Sequence, residues 1–184
     1  MNKKIFSLIC AVSCSLIWGT AFVAQDMGMD YIGPYTFSAV RLLLGFFTLL
    51  PFFFIFEFKK VKETKLSFEK IFFFLFLLGF FLAGGNIFQQ VSLLYTDVAN
   101  SAVFTVLYVV IVPIIAYFLF SKKIHNSVWP SVLMCLVGGL FLSELGNLRV
   151  RFGDSLVVVG AFFWAFHIVF ISKFLKIFNY PITI

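Results

Sequence analysis

Two long apolar runs, 34-PYTFSAVRLLLGFFTLLPFFFIF-56 and 71-IFFFLFLLGFFLAGGNIFQQ-90, flank the lysine-rich link 57-EFKKVKETKLSFEK-70. A helix needs roughly 20 apolar residues to cross a hydrocarbon core about 30 Å thick, and each run has about that length. The runs are continuous, unlike the alternating segments of roughly 10 residues that build membrane barrels. This stretch therefore predicts two membrane-spanning helices joined by a short basic loop.

The same alternation of apolar runs and short polar links extends over the whole chain. It predicts six spans, at residues 5–24, 34–56, 71–90, 98–120, 128–145 and 155–174. At 62% hydrophobic and 12% charged residues, the chain has too little polar surface to cover a soluble core. We therefore predict an all-α polytopic membrane protein with six transmembrane helices, whose surroundings are a lipid bilayer.

The charged residues divide the links into two kinds. All eleven lysines precede the first span or lie near the ends of spans two, four and six. The remaining links carry Asp26, Asp30, Asp97, Glu144 and Asp154, with Arg149 and Arg151 as exceptions. Because short loops rich in Lys and Arg stay in the cytoplasm, this pattern predicts a multi-pass protein of the cell (inner) membrane with a cytoplasmic N-terminus. Its net charge of +6 is spread over loops, which argues against nucleic acid as a partner.

The first span is predicted to be a retained helix. Cleavage after Ala24 would place bulky Phe22 where a signal peptidase needs a small residue. The three cysteines, Cys10, Cys14 and Cys135, lie within spans and are interpreted as small hydrophobic residues. No disulfide framework, metal site or cofactor is predicted.

A short repeat links the first and sixth spans. Ser15-Leu16-Ile17-Trp18-Gly19 matches Ala161-Phe162-Phe163-Trp164-Ala165 in having a small residue, two apolar residues, Trp and a small residue. Five spans separate the two starts, and a repeat of odd length enters the membrane from opposite sides. The match therefore predicts an inverted repeat.

Several short motifs together resemble the EamA family of the drug/metabolite transporter superfamily. They are Trp18-Gly19-Thr20 with Phe22, Arg41-Leu42, Ala99-Asn100-Ser101-Ala102 running into Leu107–Pro113, Gly153-Asp154, and Ala161–Ala165. The resemblance implies ten helices in two inverted five-helix repeats. On that basis residues 1–145 are expected to form the first repeat, and residues 153–184 the start of the second, incomplete repeat.

The resemblance also implies a function. A complete family member is expected to move small organic solutes, such as amino acids, their derivatives or drug-like metabolites, by alternating access. A truncated or split product is the favoured interpretation of this chain, with a second chain or a homodimer as possible partners. The alternative is a non-transporting membrane scaffold or regulatory fragment. An enzyme is not expected, because no Ser/His pairing at a glycine-rich turn and no paired intramembrane carboxylates occur.

Arg41 is the first candidate for the substrate cavity. It lies about 10 Å inside the outer end of the second span, where a guanidinium must be paired or face water. Its side chain either serves the function or extends outward to Asp97 or Glu144 and fixes helix positions.

Polar side chains at the outer ends of spans three and four are further candidates. Asn86 and Gln90 share one helical face, as do Ser101 and Thr105. The two polar stripes either line a vestibule or form hydrogen bonds between helices.

Aromatic and titratable residues complete the set. Trp18 and Trp164 are expected to face one another across a central cavity, with helix packing beside Gly19 and Ala165 as the alternative. His167 either couples transport to protons or is a neutral, hydrogen-bonded side chain. Tyr108 precedes Pro113, which is the candidate hinge, since proline usually kinks a helix.

Overall fold

The computed structural model of the protein describes residues 2–121, 124–142 and 151–184, and within these ranges all regular structure is helical. The helices are α1 (Lys3–Met29), α2 (Pro34–Phe56), α3 (Phe58–Lys62), α4 (Phe68–Ser92), α5 (Val98–Thr105), α6 (Tyr108–Phe120), α7 (Val128–Leu142) and α8 (Phe152–Ile177). Proline at the first position of α2 is favourable, because its missing N–H would have no partner inside the helix.

Within residues 2–121, 124–142 and 151–184, five helical stretches are long and apolar enough to cross a membrane. They are Lys4–Met29, Pro34–Phe56, Phe68–Ser92, Val98–Phe120 and Phe152–Ile177. Several run past the predicted bounds, because hydropathy excludes charged residues such as Asp26 and Glu69 that nevertheless continue the helix. The multi-pass helical architecture is therefore confirmed, with five candidate spans among the described residues.

The predicted span at residues 128–145 is not confirmed as a crossing. Its described helix, α7, begins at Val128 as predicted but has 15 residues, fewer than the roughly 20 that a bilayer core requires. Residues 143–145, with Glu144, lie outside the described residues, as do Lys122, Lys123 and Arg149 of the charge pattern.

The fourth span is broken into two helices. Between α5 and α6, Val106 and Leu107 form a turn in which Leu107 N donates to Phe104 O at 3.2 Å and Val109 N to Val106 O at 2.9 Å. These bonds reach back three residues instead of four, as in a tighter 3₁₀ turn. Pro113 lies inside α6, so the break precedes the proline.

The most closely packed part of the molecule is the contact between α4 and α8, which we call the α4–α8 seam. The two helices run antiparallel, since Ser92 and Thr96 lie beside Gly153 at one end and Phe74 stacks on Phe174 at the other, with ring centroids 4.2 Å apart. A Cβ atom added to Gly153 would lie 2.7 Å from the Ser92 carbonyl oxygen. Small residues therefore allow the two helices to approach, as is common in membranes.

The antiparallel packing separates the charged groups into two ends. At the lysine end, the Tyr180 hydroxyl donates to Lys60 O at 3.1 Å, and Lys173 Nζ lies 4.1 Å from the centroid of the Phe120 ring. At the acidic end, Arg151 forms an ion pair with Asp97, with 2.6 Å between Nη1 and Oδ2. The lysine-rich link after α2 and the lysines near the end of α8 thus lie at one physical end of the bundle, and the assignment of that end to the cytoplasm stays a prediction.

The segment after α8 is anchored at the lysine end by a buried carboxylate. Glu57, between α2 and α3, accepts hydrogen bonds from Ile182 N (3.0 Å), Thr183 N (2.7 Å) and the Thr183 hydroxyl (2.7 Å). These bonds satisfy both carboxylate oxygens with neutral donors. They fix the last residues of the chain against the corner where α2 meets α3.

Candidate functional site

Four of the candidate residues form what we call the aromatic cluster: Trp18, Tyr108, Trp164 and His167. The ring centroids of Trp18 and Trp164 are 5.5 Å apart, and those of Trp18 and Tyr108 are 6.5 Å apart with nearly parallel planes. His167 meets Trp164 edge-on at 6.1 Å. The two tryptophans were expected to face one another across a cavity, and the structure brings their rings into direct contact.

A cavity of about 220 Å³ lies beside this cluster, between α1 and the break that separates α5 from α6. Its walls are formed by Ser15, Trp18, Gly19, Phe22, Ala102, Thr105, Val106 and Tyr108. Apolar walls with a few hydroxyl groups are typical of small-molecule sites, and the volume is somewhat below their usual range. The cavity is therefore suited to a small, partly apolar solute.

Trp164 brings an unused hydrogen-bond donor to the cluster. Its indole Nε1 is buried and has no acceptor among the described residues. A Cβ atom on Gly85 would lie 3.0 Å from this nitrogen, so the glycine leaves the space that the indole fills. An unpaired buried donor costs about 1–3 kcal/mol, and this one lies against α4 and not on the wall of the cavity.

His167 is buried against α4. Its Nδ1 lies 3.1 Å from Leu78 O, and since a carbonyl only accepts, Nδ1 carries the proton in this contact. The other ring nitrogen, Nε2, is then the acceptor of a neutral imidazole. This geometry corresponds to the predicted alternative of a neutral, hydrogen-bonded histidine. A role of His167 in proton coupling stays a prediction.

The predicted polar stripes do not face one another. Gln89 Nε2 donates to Thr105 Oγ1 at 2.9 Å, and the hydroxyls of Ser92 and Ser101 are 3.2 Å apart. The stripe of α5 therefore bonds to the face of α4 that carries Gln89, about 100° around the helix from Gln90. For Ser101 and Thr105, these contacts correspond to the alternative of interhelical hydrogen bonds.

Asn86 and Gln90 instead face α1 and α2. Arg41 Nη2 donates to Asn86 Oδ1, and Gln90 Nε2 donates to the backbone oxygen of Gln25 at 3.4 Å. The alternative in which Arg41 pairs with Asp97 is not found, because Asp97 lies at the acidic end beside Arg151. Glu144, the other proposed partner, lies outside the described residues.

Several polar residues of this region were missed by the sequence analysis. Gln25 and Ser38 are each 2% exposed, and the Oε1 of Gln25 and the hydroxyl of Ser38 have no hydrogen-bond partner among the described residues. Gln25 lies one residue beyond the predicted end of the first span, and a lone serine in an apolar run gives no signal.

Asp154 was also missed as a structural residue. It is buried and accepts from the Thr96 hydroxyl at 2.5 Å and from Arg151 N at 2.8 Å. An acidic residue three positions after the residue that precedes a helix is a capping signal that could have identified it.

Comparison with known proteins gives one family. A model described as the EamA-like transporter family matches residues 5–144. An uncharacterized transporter of Archaeoglobus fulgidus is 28% identical over 177 residues, which cover 96% of this chain and 52% of the relative. The uncharacterized transporter YoaV of Bacillus subtilis is 27% identical over 163 residues, which cover 86% of this chain and 54% of the relative. The chain thus spans about half the length of the curated relatives it matches, and no solved structure matches it significantly.

Proposed function

The chain belongs to the EamA-like transporter family, and on that premise we propose that it binds small organic solutes and moves them across the cell membrane by alternating access. The solutes are of the size of amino acids, their derivatives or drug-like metabolites. Its helices are those of a multi-pass membrane protein. The lysine end faces the cytoplasm in this proposal, together with the N-terminus.

The observation that carries the proposal is the cavity beside the aromatic cluster. Trp18 and Tyr108 form part of its wall, and the ring of Trp164 packs against that of Trp18. Aromatic faces supply apolar contact area, while hydroxyl and indole groups orient a solute. Thr105 lies on the same wall, and its hydroxyl is already held by hydrogen bonds with Gln89 and Ser101 O.

The same region supports a way to move. The α4–α8 seam is closely packed, whereas the fourth span has a break at Val106 and Leu107, and Val106 lines the cavity. Pro113 removes a further backbone hydrogen bond in α6. We propose that α6 tilts about this part of the span, with Pro113 as the second flexible point, and so opens the cavity to one side.

Because the chain spans about half the length of its relatives, we propose that a further set of helices completes the solute pathway. A second chain or a second copy of this one would supply it. Inverted repeats in transporters enclose their sites in this way. Residues 1–145 would then act as one repeat, and residues 153–184 as the start of the second.

Solute flux into proteoliposomes tests the proposal, with Trp18→Ala as the variant, because Trp18 lines the cavity. Loss of one aromatic contact, about 0.5–1.5 kcal/mol, is expected to raise the KM for flux about two- to tenfold. Trp129→Ala is the matched control, since Trp129 is exposed on α7 and lines a different cleft.

An equal effect of the two tryptophan variants would contradict the assignment of the site. Stable insertion without flux of any solute under any gradient would instead favour the alternative, a non-transporting scaffold or regulatory fragment. Insertion is followed separately by helix content and elution as a monodisperse species.

A further inference from the structure

Arg41 is a cation within a membrane-spanning helix, and no carboxylate pairs with it in residues 2–121, 124–142 and 151–184. It lies seven residues after α2 begins at Pro34, about 10 Å along the helix axis. Within the same ranges, the ion pair that does form joins Arg151 to Asp97 at the acidic end, away from Arg41. A charge at this depth is costly unless it is paired or meets water, and such residues are often functional.

The guanidinium of Arg41 is held in place by one hydrogen bond, but most of its N–H donors have no acceptor among the described residues. One nitrogen donates to Asn86 Oδ1, and the carbon Cζ lies 6.0 Å from the centroid of the Phe37 ring. The other N–H donors of the guanidinium fork have no acceptor among the described residues. Asn86 is itself held by a hydrogen bond from Nδ2 to Leu82 O at 2.8 Å, so it presents its oxygen to Arg41 in a fixed direction.

Two neighbouring side chains each carry a buried oxygen atom without a hydrogen-bond partner among the described residues. Ser38 precedes Arg41 by three residues on the same face of α2, and its buried hydroxyl has no hydrogen bond among the described residues. Gln90 follows Asn86 by one turn of α4, is fully buried, and has an unpaired Oε1. A cluster that only joined helices would be expected to satisfy these atoms internally.

We propose that Arg41, positioned by Asn86 and assisted by the Ser38 hydroxyl, binds an oxyanion group of the transported solute, either a carboxylate or a phosphate. The guanidinium fork matches both groups with two parallel hydrogen bonds. Ser38 can donate a further bond, and Gln90 Oε1 can accept one from an N–H or O–H of the same solute. The inference rests on the proposed function and specifies the class of solute.

Matched pairs of acids and amides test the charge requirement. Isovalerate, phenylacetate and leucine are compared with isovaleramide, phenylacetamide and leucinamide, and phenyl phosphate and inorganic phosphate test the phosphate arm. Binding is measured calorimetrically to the protein in phosphatidylcholine nanodiscs. We expect at least one acid or phosphate to bind tenfold or more tightly than its neutral counterpart, about the effect of hydrogen bonds to a charged group.

Two arginine variants separate recognition from general charge. Arg41→Gln is expected to abolish the preference for the acid and leave the affinity for the amide within about twofold. Arg151→Gln removes the same charge from the exposed ion pair at the acidic end and is expected to keep the preference. Arg41→Lys, which keeps the charge and loses the fork, is expected to lie between them.

Asn86→Asp keeps the test meaningful if Arg41 variants fail to fold. The aspartate has nearly the same shape and would pair with Arg41 as an internal carboxylate, in the place of the solute. We expect the protein to stay folded, because the ion pair with Arg41 offsets the lost hydrogen bond from Nδ2 to Leu82 O, together with loss of the acid preference. A purely structural Arg41 also predicts a folded protein, but with the binding of both solutes unchanged.

Several results would overturn the inference. They are equal binding of acids and amides by the unchanged protein, an equal loss of both in Arg41→Gln, or an unchanged preference in Asn86→Asp. Loss of the preference in nanodiscs that contain phosphatidylglycerol would assign the oxyanion to lipid and not to the solute. If flux occurs without an acid preference, the proposed function stands and this inference is wrong; if no solute binds or moves, both are wrong.

Discussion

The α4–α8 seam and the pair formed by α1 and α2 are built from the same apolar residue types, but they are packed differently. In the seam, Gly84 and Gly153 face atoms of the partner helix so closely that an added Cβ would overlap with them. On α1 and α2, Gly19 and Gly45 have no such neighbour within 4 Å, and most large apolar side chains are exposed. The exception is Gly28 near the end of α1, where an added Cβ would meet the Phe37 ring of α2. Since lipid is as apolar as leucine, small residues and hydrogen bonds, not hydrophobicity, distinguish helix contacts from lipid contacts.

The largest difference in the free energy of unfolding is expected when a leucine is truncated to alanine in each of the two regions. Leu78 in the seam is 2% exposed, whereas Leu43 on α2 is 55% exposed. Leu78→Ala should lower the free energy of unfolding by about 2–4 kcal/mol, because it leaves a cavity. Leu43→Ala should change it by less than about 0.5 kcal/mol. Unfolding in mixed micelles followed by circular dichroism measures both, and equal losses would remove the distinction between the regions.

A smaller effect is expected from adding one methyl group to a glycine. In Gly153→Ala the new Cβ meets backbone atoms of Ser92 and Thr96, which cannot rotate away, so overpacking should cost about 1–3 kcal/mol. Gly79→Ala is the matched control in α4, where no atom lies within 4 Å and alanine should stabilise the helix by about 0.5–1 kcal/mol. Thermal melting in detergent measures the stability of both variants relative to the unchanged protein. If the melting temperature of Gly153→Ala equals that of the unchanged protein, α4 and α8 do not approach as closely at this end of the seam as described.

The smallest difference in stability is expected between substitutions of two carboxylates at the acidic end. Asp154 is buried and accepts two hydrogen bonds, so Asp154→Asn should cost about 1–2 kcal/mol. The ion pair of Asp97 with Arg151 is exposed, with side chains 64% and 48% accessible, so Asp97→Asn should cost at most about 1 kcal/mol, and less in high salt. Chemical unfolding at low and high salt distinguishes the two losses of stability. A salt-sensitive loss in Asp154→Asn would show that its carboxylate acts through charge and not through its hydrogen bonds.

The features that depend on long patterns could be predicted from the sequence. Continuous apolar runs indicated the helices, and the lysine alternation indicated which helix ends lie together, as the contacts of Tyr180 and Lys173 at the lysine end bear out. Both signals average over many residues, so individual exceptions matter little. The cytoplasmic position of that end and the inverted repeat stay predictions.

Features that depend on the rotation of one helix against another could not be predicted. Gln89 and Gln90 are adjacent in the sequence, yet one bonds to α5 and the other to α1. In an apolar helix, hydrophobic periodicity does not indicate which face a polar residue occupies. For the same reason, the contact of Arg41 with Asn86 was not among the predicted pairs, although both residues were candidates for the site.

The contact of Glu57 with Thr183 also bears on how the chain assembles. The two residues are 126 positions apart, so the carboxylate must wait until nearly the whole described chain has been synthesised and inserted before its partners exist. Contacts of such sequence separation are the last to form and the slowest to find. Until then Glu57 lies next to Lys59 and Lys60 at the membrane surface, where water can solvate its charge. The burial of this one side chain therefore comes only after α2 and α8 have both reached their final positions.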